Sequence, residues 1–141
     1  MNLKPLLRGH FHQAAFFFAL GACAMLLANT RASGVLGVTI VYSLSLVCMF
    51  GISALYHRPQ WKPAARAVMK RFDHAAIFVL IAGTGTPICW LALQPKDGAV
   101  LLSGLWITAA VGIIQSVFWA RAPKWISVGL YVLCGWLAAP Y

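Results

Sequence analysis

Long apolar runs broken by short polar connectors constrain this chain more than any other feature. A membrane-spanning helix needs about 20 mostly apolar residues, and four stretches meet that pattern: 13–29, 34–56, 75–93 and 99–119. A fifth, 126–141, is slightly short and stops where the sequence stops. The connectors read "TRAS", "HRPQWKPAARAVMKRFD", "QPKDG" and "ARAPKW". All but the second are too short to let neighbouring helices run in the same direction. The sequence therefore predicts an all-α, polytopic transmembrane helix bundle, a single integral-membrane domain over residues 1–141 with about five spans. Composition excludes the soluble alternative: 62% of residues are hydrophobic and 9% charged, against roughly 25% charged in soluble domains.

The basic residues set the orientation. Lys4 and Arg8 precede the first run, Arg58, Lys62, Arg66, Lys70 and Arg71 fill the second connector, and Arg121 and Lys124 fall in the fourth. The other side carries Arg31 and Lys96. The excess of Lys and Arg marks the cytoplasmic side, so the N-terminus is predicted to be cytoplasmic. A net charge of +9 arises from these connectors rather than from a basic face or tail. Its expected partner is the anionic lipid bilayer, not nucleic acid.

Other residues read as structural. Cys23, Cys48, Cys89 and Cys134 all lie in apolar runs without a C-x-x-C pair, as buried, reduced thiols do. Trp61, Trp90, Trp119 and Trp125 fall near span ends, where interfacial aromatics gather. Pro87, inside the third run, is expected to kink or loosen its helix. No G-x-x-x-G pair marks a dimer face, and no cleavage pattern follows the first run, which is expected to stay as an anchor.

The polar residues are few, and they converge. In "SALYH", Ser53 and His57 stand at i and i+4, on one face of the second helix. The chain returns to the membrane at "RFDHAAIF", which puts Asp73 and His74 at the cytoplasmic end of the third. Asp73 and Asp97 are the only acids in the sequence. Ionisable groups at membrane depth are costly and usually face a bundle interior. An imidazole beside a carboxylate suits a zinc site or acid–base work. Simpler readings stay open at this point: His57 as an interfacial residue, Asp73 capping its helix or pairing with Arg71, and Ser53 bonding back to its own helix. His10 and His12, in "RGHFHQ", read as headgroup contacts.

"SALYH" followed by "FDHAAIFVLIAGTGTP" resembles the signature of the hemolysin III family, the bacterial branch of the progestin and adiponectin receptor superfamily. The likeness runs from "RGHFHQAA" to "YVLCGW". It implies a multi-pass protein of the bacterial plasma (inner) membrane with seven helices and a zinc site near the cytoplasmic face. Carried over to this sequence, His57 is implied as a zinc ligand, Ser53 as a polar member of the catalytic pocket, and Asp73 as the group acting on metal-bound water. The implied activity is that of a zinc-dependent membrane hydrolase acting on an amide-linked lipid. Alternatives are a bilayer-perturbing, cytolytic protein and a receptor-like scaffold.

Two features depart from the family pattern. Gly85 stands where "AGTxTP" usually holds an aromatic residue. The family's remaining ligands come from an H-x-x-x-H pair on the seventh helix, and no such pair occurs in this sequence. The expectation is of about five spans from an expected seven, a site incomplete at the C-terminal end, and weak or absent zinc binding by this chain alone. Besides the lipid bilayer, the expected partners are a second copy of the chain, which would relieve an unsatisfied Asp73, or the missing C-terminal fragment.

Overall fold

The computed structural model describes residues 6–119 and 122–141, with side chains from Gly9 onward. Lys4 and Arg121, counted above among the basic residues, lie outside the described residues, as does the side chain of Arg8. Five helices follow one another: α1 (Leu6–Asn29), α2 (Ser33–His57), α3 (Pro63–Leu91), α4 (Pro95–Phe118) and α5 (Lys124–Trp136). The described residues contain no strand. α1 to α4 are each long and apolar enough to cross a membrane. At 1.5 Å per residue they extend about 36–44 Å, past a hydrocarbon core of about 30 Å. The protein is a multi-pass helical membrane protein.

Several boundaries differ from the sequence reading, those of α3 and α5 among them. α3 begins at Pro63, twelve residues before the expected 75, so most of the basic "connector" is helix. Proline at N1 has no N–H to leave unsatisfied, and the Ala, Arg, Met and Lys that follow are strong helix formers. The helix thus continues out of the apolar layer. α5 is shorter than the expected 126–141: it spans 13 residues and gives way to turns before Pro140, about 20 Å of helix. Proline disfavours helical geometry in the residue before it.

Among the described residues the helices pack in chain order: α1 on α2, α2 on α3, α3 on α4, and α5 against both α4 and α3. α1 makes no packing contact with α3 or α4. The arrangement is an open row that α5 begins to close, and the site sits on the inner helices α2 and α3.

Small residues set these seams. A Cβ on Gly83 would strike Ser45 across α2–α3, and one on Gly112 would strike the ring of Phe78 across α3–α4. Lipid is as apolar as a side chain, so close backbone approach and hydrogen bonding must hold membrane helices together. The buried polar residues are accordingly hydroxyls: Thr39, Ser43, Ser45, Ser53, Thr86 and Ser116. Thr86 donates to the Ala82 carbonyl at 2.8 Å and accepts from the Trp106 indole at 3.1 Å, which ties α3 to α4. Helix α3 continues through Pro87, with this hydroxyl bond one residue away. The site of the missing aromatic is occupied from α4: a Cβ on Gly85 would meet Leu105. Of the cysteines, Cys23, Cys89 and Cys134 are buried, whereas Cys48 is exposed, against the expectation of four buried thiols.

Candidate functional site

The site forms where α2 ends and α3 is already well under way. The connector between them is short, and Trp61 secures it by donating from its indole to the Leu55 carbonyl at 2.8 Å. That carbonyl lies in the last turn of α2, where backbone acceptors otherwise lack partners. The returning helix α3 then runs antiparallel beside α2. His57 closes α2, and its Nε2 lies 4.0 Å from Asp73 Oδ2. The two side chains are 23% and 16% exposed, half-buried between the helices. Ser53 lies one turn deeper on α2 and is 4% exposed.

Asp73 does not cap a helix: it lies about three turns inside α3, whose N-cap is Lys62. Nor does it face Arg71, since residues two apart on a helix point in different directions. The Arg71 guanidinium instead reaches across to the Val117 carbonyl on α4 at 3.2 Å. Among the described hydrogen bonds Thr39 and Thr86 bond back to carbonyls of their own helices, and Ser53 makes no such bond. His74 is exposed and turns away from the His57 side of α3. Its backbone carbonyl accepts a 3.3 Å hydrogen bond from the Tyr131 hydroxyl.

One participant was missed in the sequence. His12, read there as a headgroup contact, stacks on His57 with ring centroids 5.6 Å apart and planes 11° from parallel. Helix α1 begins at Leu6 rather than near 13, so His12 stands well inside it. Gly9, one turn earlier on the same face, brings α1 against the end of α2: a Cβ there would lie 3.3 Å from the His57 carbonyl. The signal available was this Gly9–His12 spacing, but its meaning depends on which residue of α2 it meets. His10 is exposed and takes no described part.

The donors do not fit a closed zinc site. Catalytic zinc takes three protein ligands at about 2.0–2.2 Å, which places two tetrahedral ligand atoms roughly 3.3 Å apart. His57 Nε2 and Asp73 Oδ2 are wider than that at 4.0 Å. The parallel rings of His12 and His57 face one another instead of aiming two nitrogens at one point. Among the described residues no group of three His, Cys, Asp or Glu side chains is placed to hold a metal ion. What the geometry does provide is an imidazole, a carboxylate and a buried hydroxyl held together by two helices. A donor set of that kind can bind part of a cation's shell or share a proton.

Comparison with known proteins gives a consistent result. The family model described as "Haemolysin-III related" matches residues 1–141. The chain is 36% identical over 106 residues to Hemolysin-3 of Bacillus cereus, covering 75% of this chain and 48% of that protein. It is 32% identical over 97 residues to a Hemolysin-3 homolog of Bacillus subtilis, covering 69% of this chain and 45% of the relative. The matched region thus spans about half the length of these curated relatives. No solved structure matches the chain significantly.

Proposed function

This chain belongs to the haemolysin-III related family, and we propose that it supplies one part of a zinc-dependent membrane hydrolase site whose remaining metal ligands come from outside the described residues. The observation that carries this reading is the 4.0 Å approach of His57 and Asp73 from separate helices, in a sequence with two acids in all. A carboxylate at membrane depth is costly unless it serves a partner or a function. In this reading His57 offers its imidazole as one ligand, Asp73 sits beside it as the acid–base group, and Ser53 is the polar group deeper in the pocket. The substrate class is an amide-linked lipid, reached from the bilayer of the bacterial inner membrane. A C-terminal segment bearing H-x-x-x-H supplies the missing imidazoles.

The name Hemolysin-3 carried by the Bacillus cereus relative favours a second reading, in which the protein perturbs bilayers without catalysis. One preparation separates the two. The purified chain, reconstituted with and without a membrane segment bearing H-x-x-x-H, is assayed for zinc-dependent cleavage of a fluorescent N-acyl lipid and for dye leakage from vesicles. The hydrolase reading expects cleavage only with the added segment, and none with His57→Ala. Leakage that survives His57→Ala, with no cleavage in any arm, would replace it with the bilayer reading.

A further inference from the structure

A second polar concavity opens on the side of α3 away from His57, between the ends of α3, α4 and α5. Lys70, Arg71, His74 and Ile77 line it from α3, and Lys124, Ser127, Val128 and Tyr131 from α5. With Ala67, which also lines it, the α3 residues from Ala67 to His74 follow the i, i+3, i+4, i+7 spacing of one helix face, as the α5 residues from Lys124 to Tyr131 do. The neutral polar groups hold the walls in place. Ser127 donates to Gln115 Oε1 at 3.1 Å, and the Tyr131 hydroxyl donates to the His74 carbonyl at 3.3 Å. Arg71 uses one N–H on the Val117 carbonyl at 3.2 Å, which fixes its head at the rim.

The charge balance of the cleft is one-sided. Three cations, Lys70, Arg71 and Lys124, line it with no acid among the lining residues. The two acids of the sequence do not balance them: Asp73 approaches His57 on the α2 side, although its field also reaches His74 and Tyr131 of the lining, and Asp97 stands in the first turn of α4, at the other end of that helix from Gln115. Three cations against one nearby acid leave the lining with an excess of positive charge. Trp119 caps α4 and Trp125 follows Lys124 in the first turn of α5, 54% and 73% exposed, as aromatic residues are at headgroup level. Phe118, next to Trp119 in the sequence, and Val128 in the lining are exposed as well. The three cations also belong to the face that the Lys and Arg distribution assigns to the cytoplasm, where anionic lipid attracts basic groups.

We propose that this cleft binds a phosphate-bearing anion, and that the headgroup of an anionic phospholipid is the carrier its depth favours. The proposal is independent of the His57–Asp73 site. Native mass spectrometry of the full chain in mild detergent tests it, with phosphatidylglycerol, phosphatidylcholine and inorganic phosphate titrated separately. Phosphatidylglycerol should be retained in preference to phosphatidylcholine. A Lys70→Gln/Lys124→Gln double variant should bind it about 30-fold more weakly, at about fivefold per basic residue. Lys70→Arg/Lys124→Arg should keep the affinity, and Arg58→Gln/Lys62→Gln, on the same membrane side but outside the cleft, should change it only a few-fold. Inorganic phosphate held as tightly as the lipid, and lost in the Gln pair, would assign the site to soluble phosphate instead of lipid. Equal losses from the two Gln pairs, or retention of neither anion, would overturn the proposal.

Discussion

The α3–α4 seam makes a prediction whose sign can be worked out from the structure. A Cβ on Gly112 would strike Cε1, Cζ and Cδ1 of Phe78. Phe78 is fully buried, and its ring is stacked on Tyr131 with centroids 4.4 Å apart, so it has little room to retreat. Forcing a methyl group into such a seam costs about 1–3 kcal/mol, while replacing a helical glycine with alanine returns about 1 kcal/mol. Gly112→Ala should therefore be neutral to destabilising by about 2 kcal/mol. At Gly21 a Cβ would meet nothing within 4 Å, and Gly21→Ala should stabilise by up to about 1 kcal/mol. The measurement is the difference between the two variants in SDS-induced unfolding from mixed micelles, followed by helical circular dichroism. A gap of about 1–3 kcal/mol is expected, shrinking in a Phe78→Leu background. If the two substitutions shift stability by the same amount and in the same direction, the α3–α4 seam described here is wrong.

The His57–Asp73 approach predicts a coupling of about 0.5–1 kcal/mol in a double-mutant cycle of His57→Ala and Asp73→Asn, in the range of partly exposed pairs; strictly additive effects would mean that the two side chains do not meet. Tyr131→Phe keeps the stack on Phe78 and removes the bond to the His74 carbonyl, at an expected cost of about 0.5–1.5 kcal/mol. No loss in the same unfolding assay would detach α5 from α3.

The spans were legible because lipid imposes one rule at every position: a run of about 20 apolar residues has to be helical. The start of α3 escaped that rule because residues 63–71 are interrupted by basic side chains, so that helix propensity decides there. Pro63 followed by Ala64, Ala65 and Ala67 carried that signal, but the charges drew the reading towards a loop. Ser53 and His57 were readable as a pair because both lie on one helix. The meeting of His57 with Asp73 followed from topology, because the chain leaves α2 and returns on α3 at the same side of the membrane. His12 was not readable, because its position depends on how far α1 slides along α2, and Gly9 fixes that only through contact with the His57 backbone. The basic cleft was half visible: the spacing of Lys70, Arg71 and His74 marks a helix face, but the α5 face opposite it is a matter of tertiary packing.

The central claim is that His57 and Asp73 form part of a metal site that needs ligands from elsewhere. Zinc titration of the purified 141-residue chain, with a competing chelator and with His57→Ala alongside, tests it most directly. The account predicts weak binding, with no zinc retained at one per chain against the chelator, and a gain of tenfold or more when a segment bearing H-x-x-x-H is added. One tightly held zinc per chain without that segment, abolished by His57→Ala, would contradict it.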